Sequence, residues 1–253
     1  MMGDVTFKMR NIRLTLEYDG TRFRGWKSPK KEESSTISGR LGEVLRRMTG
    51  EEIVLFCAEK TEPGVHATCQ VVQFQTECRL SLERMKEYMN HYLPLDLAVS
   101  QVEEVEERFH GELTPHKITY EYRIQVGTVE DVFRRRYVDF RKEAPEFKRM
   151  EDAAVMLEGK HDFRAFSAGR TKKSTVRELT RIRINMVKDE VHIQLQGRGF
   201  LKQMPEKLVS VLLDIGYGAY GIEEIPRMFQ GNRKITTTCE EKALFLTDVT
   251  YDL

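Results

Sequence analysis

The sequence predicts an α+β fold made of two tandem ferredoxin-like halves, each β-α-β-β-α-β. Their strands form one extended, mainly antiparallel sheet, with helices on one face and a cleft between the halves. Two observations carry this reading. Apolar residues switch from alternation to a helical period and back in the order β-α-β-β-α-β, and the same order then recurs. The recurrence begins near residues 106–116, which divides the chain into 1–106 and 107–253.

In the first half, NIRLTLEYD (residues 11–19) alternates and reads as a strand. Ile37, Leu41, Val44, Leu45 and Met48 then fall on one face of a helix over residues 36–48, and Gly50 ends it. IVLFCAE (53–59) and CQVVQFQTE (69–77) are rich in β-branched and aromatic residues and read as strands. Ser81 caps a helix running to residue 92, and LAVSQVEEVEE from residue 97 closes the half as a strand.

The second half repeats the order. ITYEYRIQV (118–126) alternates, and a helix follows over 147–157. LTRIRINMV (179–187) and EVHIQLQ (190–196) read as a hairpin turning at Asp189-Glu190. LKQMPEKLVSVLLDIG (201–216) is a long amphipathic helix, a short helix starts at Ile222, and FLTDVTYDL (245–253) is the last strand. KSPKKEESS (27–35) and RTKKS (170–174) are polar and unpatterned, and read as loops.

The 253 residues suffice for a full apolar core. No run approaches the roughly 20 apolar residues of a membrane span, and MMGDVTFKMRN lacks an apolar signal core, so a cytoplasmic protein without membrane association is expected. Cys57, Cys69, Cys78 and Cys239 are widely spaced with no C-x-x-C pair, which predicts reduced thiols and no zinc site. With 41 basic and 40 acidic residues the net charge is only +1, so any nucleic-acid surface must arise by segregation of charge. The run Arg134, Arg135, Arg136 reads either as a solvated face or as a phosphate contact. There is no G-x-x-x-x-G-K-[ST] or G-x-G-x-x-G fingerprint, and no cofactor or metal is expected.

Five segments in order carry a resemblance: YDGTRFRGW (18–26), KTEPGVHA (60–67), YEY (120–122), HDFRAF (161–166) and GRGFLKQM (197–204). Together they resemble the signatures of the tRNA pseudouridine synthase A family, whose catalytic loop is usually G-R-T-D-x-G-V-H-A. The resemblance implies a homodimeric enzyme that binds tRNA in a basic cleft and isomerises anticodon-arm uridines to pseudouridine without cofactor or metal. It puts Glu62 at the catalytic aspartate, Tyr120 at the tyrosine that stacks on uracil, and Lys60 at the loop arginine. It further implies that Arg24, Lys60, Arg134, Arg135, Arg136, Phe200 and Leu201 bind substrate. Gly64 then serves the backbone turn, and His66 is structural rather than acid–base.

The reaction breaks a glycosidic C–N bond and rejoins the base through carbon, on a nucleotide extruded from the stack. It needs a carboxylate at the sugar, as nucleophile at C1′ or base at C2′. Glu62 keeps that carboxylate but moves it by about 1.5 Å, and an error of about 1 Å can cost on the order of 100-fold in rate. Other departures from the family pattern are Glu59 for glycine, Lys60 for arginine, Pro63 for alanine, Pro205-Glu206 for V-R, Glu112 for a basic residue, and Glu240 and Ala243 for a proline and a glycine. Pro205 is expected to kink its helix or shift the helix start, at a cost of about 3 kcal/mol if interior. Glu59, Glu112 and Glu206 are expected to repel phosphate and to raise the Glu62 pKa. These departures open a second reading: a catalytically inactive paralogue that serves as an RNA-binding or protein-partner module.

Overall fold

The computed structural model describes residues 9–27, 33–169 and 172–252. Most of KSPKKEESS and the first two residues of RTKKS lie outside the described residues, as does the N-terminal segment 1–8. Ten strands form one mixed, mostly antiparallel sheet: β1 (Arg10–Tyr18), β2 (Phe56–Cys57), β3 (His66–Thr76), β4 (Leu97–Glu104), β5 (His116–Val126), β6 (Asp139–Arg141), β7 (Gly159–Asp162), β8 (Val176–Val187), β9 (Glu190–Gly197) and β10 (Leu244–Tyr251). Among the described residues five α-helices accompany it: α1 (Ile37–Thr49), α2 (Leu82–Tyr92), α3 (Phe147–Leu157), α4 (Met204–Gly216) and α5 (Glu224–Phe229).

The strand order is β4-β1-β3-β10-β5-β9-β8-β7, with β2 added to β3 and β6 to β5. Each half thus repeats one pattern, its last strand beside its first and its first beside its last but one. Within each half the helices pack in pairs, α1 on α2 and α3 on α4. Thr36 caps α1 by accepting from the Gly39 N–H, and Ser81 caps α2 by accepting from the Arg84 N–H.

The halves meet where β10 lies parallel to β3, pairing Phe245 with His66 and Leu246 with Ala67. One transverse row of buried side chains crosses this seam: Tyr18, Ala67, Leu246, Tyr120, Leu195 and Ile182. Because strand side chains alternate between faces, this row fixes a common face across both halves. It also puts Tyr120 two strands from the start of β3, where the loop carrying Glu62 ends.

Several expectations need correction. The strand expected over 53–59 is only Phe56–Cys57. It pairs only with Gln73 and Val72 of β3, and the Ala58 N–H bonds the Val71 carbonyl just beyond. The hairpin turns at Lys188-Asp189, because Val187 pairs with Glu190, and Lys188 takes the left-handed φ of 57°. Of the two effects expected of Pro205 the structure shows the second: α4 is not kinked, and its start shifts from the expected residue 201 to Met204. Pro205 sits in the first turn, where a missing N–H costs little. The short edge strands β6 and β7 were not foreseen.

Candidate active site

Tyr18 through Trp26 forms a cradle under the loop of residues 60–65. The Tyr18 hydroxyl lies 2.8 Å from Thr61 Oγ1, buried at the end of β1. The Trp26 N–H donates to the Thr61 carbonyl at 3.0 Å, while the Gly25 and Trp26 carbonyls accept from the first N–H groups of α1. Gly25 has φ +75°, and a Cβ there would stand 2.5 Å from the Thr61 carbonyl oxygen, so only glycine allows this approach. The loop turns through a Val65 N–H bond to the Glu62 carbonyl at 3.2 Å, with Gly64 at φ +82°.

His66 closes the loop. Its Nδ1 accepts from the Gly20 N–H at 3.0 Å, its Nε2 lies 3.0 Å from the Lys242 carbonyl, and its ring stacks on Phe245. Burial lowers its pKa, and the accepting Nδ1 leaves Nε2 to donate, so the ring is neutral. His66 is therefore a brace across the seam of the two halves, as the sequence reading has it.

Above the loop opens a cavity of about 780 Å³. It is lined by Glu62, Tyr120, Lys60, Arg24, Phe200 and Leu201 from the sequence-derived set, and also by Lys27, Glu59, Glu112, Lys202, Gln203 and Glu206. Tyr120 is 4% exposed and meets Phe200 edge to face with centroids 5.2 Å apart. Burial raises its phenol pKa well above the ordinary value, so the hydroxyl stays protonated.

Glu62 is half-buried and lines the cavity, and Lys60 is not its partner: Lys60 Nζ lies 3.2 Å from Glu112 Oε1. The Glu62 pKa is raised, by desolvation, while the positive charge of Lys202 pulls it back. Clustered anions were expected to cause that rise; burial is the cause, and the like-charge pressure falls on Glu206 instead. Glu206 is 3% exposed in the first turn of α4, and its pKa is pushed up to about 7, chiefly by desolvation and further by Glu62 and Glu241. Glu59 is pushed up to about 8, again by desolvation. Gln203, just before α4, holds φ 57°, a conformation uncommon outside glycine.

The arginine run divides. Arg134 takes no part in the cavity. Its guanidinium is committed to Asp131 at 2.8 Å, Asp189 at 2.6 Å and Glu190 at 2.5 Å, tying the loop before β6 to the β8–β9 hairpin. A guanidinium saturated by three carboxylates is not available to phosphate. Arg135 and Arg136 line a second cavity of about 660 Å³ with Thr21, Phe23, Glu130 and Lys242, and it adjoins the first through Pro63. Lys202 was missed by the sequence reading, although it directly follows Phe200 and Leu201 in GRGFLKQM. No cluster suited to a metal ion occurs among the described residues, and the four cysteines are free thiols.

The profile of the family described as tRNA pseudouridine synthase matches residues 15–112 and 153–252. The chain belongs to that family. Full-length relatives agree: the tRNA pseudouridine synthase A 2 of Bacillus cereus (strain ZK / E33L) is 36% identical over 96% of this chain and 100% of its own length. The tRNA pseudouridine synthase A 1 of Clostridium tetani is 34% identical, and the tRNA pseudouridine synthase A of Brevibacillus brevis 32%, each over 96% of this chain and 100% of the relative. In the cavity four glutamates accompany Arg24, Lys27, Lys60 and Lys202. The lining is thus balanced in sign rather than purely acidic. No helix among the described residues is long and apolar enough to cross a membrane.

Proposed function

We propose that the chain isomerises uridine to pseudouridine in the anticodon arm of tRNA, with Glu62 as the catalytic carboxylate in the family's aspartate position. One observation carries this reading: Glu62 lines an open cavity that Tyr120 also lines, and it makes no ion pair among the described residues. The volume of about 780 Å³ lies in the range of about 300–1,000 Å³ usual for small-molecule sites and leaves room for an extruded nucleotide. Tyr120 supplies the face for the detached uracil, with Phe200 and Leu201 as apolar walls. Lys60 and Arg24 at the rim, with Arg135 and Arg136 in the adjoining cavity, contact phosphate; Arg134 does not. The division at residues 106/107, a homodimeric state and a cytoplasmic location belong to the same proposal, the last two resting on the family resemblance.

The test is release of tritium from tRNA labelled at uracil C5. Release by the wild-type protein that disappears in Glu62→Ala is the expected result, and absence of release from the wild type overturns the reading. The second reading, an inactive RNA-binding or protein-partner module, is favoured by Glu206, a buried carboxyl where the family has arginine, and by the capture of Lys60 by Glu112. It predicts salt-dependent tRNA binding without release, and a gain of release in Glu62→Asp combined with Glu206→Arg.

A further inference from the structure

Of the cavity carboxyls that the reaction as described above leaves without a task, Glu206 is the most completely buried. It sits in the first turn of α4 and is 3% exposed, and its Oε2 has no hydrogen-bond partner among the described residues. A buried carboxyl without a partner is costly and calls for an explanation at the site that holds it. The surrounding groups are fixed elsewhere. The Cys239 thiol and the Ser210 hydroxyl both donate to the Glu206 carbonyl, at 3.2 and 2.8 Å, not to its carboxyl. Lys60 is paired with Glu112, and Glu59 accepts the Lys60 N–H at 3.3 Å.

Pseudouridine formation moves one proton within the base: N1 gains one and C5 loses one. A half-turn of uracil about its N3–C6 axis exchanges the places of N1 and C5. A single carboxyl fixed on the side of the scissile bond therefore meets first one atom and then the other.

We propose that Glu206 is a catalytic proton carrier, giving its proton to uracil N1 and recovering one from C5. The inference rests on the isomerase reading above. With Glu62 written as the nucleophile, its carboxylate oxygen bonds to C1′ and the C1′–N1 bond breaks, its electron pair staying on N1. The Glu206 carboxylic acid transfers its proton to N1. After the half-turn, the C5–C6 π pair forms the bond from C5 to C1′, and the Glu62 oxygen leaves with the pair of its ester bond. The C5 proton passes to the Glu206 carboxylate, and the C–H pair restores the C5–C6 double bond. Both carboxyl groups return to their starting states, so no external acid, base or cofactor is consumed.

The roles differ because the surroundings differ. Glu62 has Lys202 to favour its anion. Glu206 faces the Glu62 and Glu241 carboxylates and the Cys239 and Tyr120 side chains, with burial and like charge favouring its acid. Two carboxyls pushed apart in this way can divide nucleophile and acid roles between them. The Tyr120 hydroxyl holds its proton too firmly to act as carrier.

The decisive variant is Glu206→Gln, which keeps the shape but cannot transfer a proton. With uracil-C5-tritiated tRNA and the full chain, kcat is expected to fall about 100- to 10,000-fold, with KM for tRNA little changed. The wild-type decline of kcat as pH rises past neutrality should vanish in the variant, and Glu206→Asp should recover part of the rate. Glu206→Met, which removes an unpartnered polar group, should fold and be equally inactive. Wild-type kcat and an unaltered pH profile in Glu206→Gln would overturn the proposal while leaving the isomerase reading intact. Unfolding of both the Gln and Met variants would make Glu206 structural and overturn it too. A wild-type protein that releases no tritium removes the isomerase reading itself, and this inference with it.

Discussion

Lys60 Nζ lies 3.2 Å from Glu112 Oε1, so the cation that opens the loop of residues 60–65 is held by an acid that lines the same cavity. Both side chains are substantially exposed, and such a pair contributes at most about 1 kcal/mol to stability. Its consequence is for binding. Glu112→Gln should leave the melting temperature nearly unchanged and tighten tRNA binding several-fold at low salt. The slope of log K against log salt should steepen by about one, because one more cation meets the backbone. Filter binding across a salt series reads both.

Arg134 and Arg136 are neighbours with opposite expected phenotypes. Arg134→Ala strips three carboxylates of their partner and unties the loop before β6 from the β8–β9 hairpin. Its cost should appear as a small drop in melting temperature, for a network open to solvent, with tRNA affinity retained. Arg136→Ala should show the reverse: unaltered melting and weaker, less salt-dependent tRNA binding. A loss of tRNA affinity in Arg134→Ala without loss of stability would show the assignment to be inverted.

These two arginines also mark how far the sequence is legible. Helix α3 is read to both ends because Met150, Ala153, Ala154 and Leu157 form one buried stripe on a local 3.6-residue repeat. Glu62, Tyr120, Lys60, Arg24, Phe200 and Leu201 meet in one cavity because their motifs end on or beside the seam between β3, β10 and β5. The fate of Arg134 depends on Asp189 and Glu190, more than fifty positions away, and no local pattern announces that pairing. Lys202 stands in a quoted motif, yet its effect on Glu62 joins residues 140 positions apart, and spacing within the motif does not announce it.

The buried hydroxyl pair of Tyr18 and Thr61 should be worth more than its single hydrogen bond. Tyr18→Phe leaves Thr61 Oγ1 without its 2.8 Å partner, and the Gln70 amide loses a 3.4 Å contact beside it. Leaving a buried group unsatisfied costs about 1–3 kcal/mol, which for a chain of this size lowers the melting temperature by roughly 2–4 °C per kcal/mol. Since Thr61 precedes Glu62, kcat should fall as well. Calorimetry combined with the tritium assay tests both, and an unchanged kcat would mean that the Trp26 bond alone positions the loop.

Lys202 acts on Glu62 through charge, and pH makes that visible. A Glu62 that works as an anion loses activity as pH falls through its pKa. Burial has already raised that pKa, and Lys202 opposes the rise. Lys202→Met removes the opposing charge, so the pKa climbs and the acid limb of kcat/KM must move to higher pH. A limb that stays in place in the variant would remove Lys202 from the site.

Glu206 should also make the fold pH-dependent in an unusual direction. Its pKa stands at about 7 in the folded chain, against an ordinary 4.5. Below pH 4.5 both states hold the proton and no difference arises. As pH rises through 4.5 the unfolded chain releases it while the folded chain retains it, so stability falls until the folded group ionises near 7. At about 1.4 kcal/mol per pKa unit the loss is on the order of 3 kcal/mol. The buried, neutral His66 works with the opposite sign, losing stability as pH drops through the ordinary histidine value, so the raw profile of the wild type mixes the two. The difference between wild type and Glu206→Met isolates the carboxyl. Urea denaturation should find the variant more stable than wild type by up to about 3 kcal/mol at pH 8.5, with most of that advantage gone by pH 5. An advantage that is the same at both pH values would mean that the carboxyl is not held protonated, and the Met side chain would then be gaining only by packing.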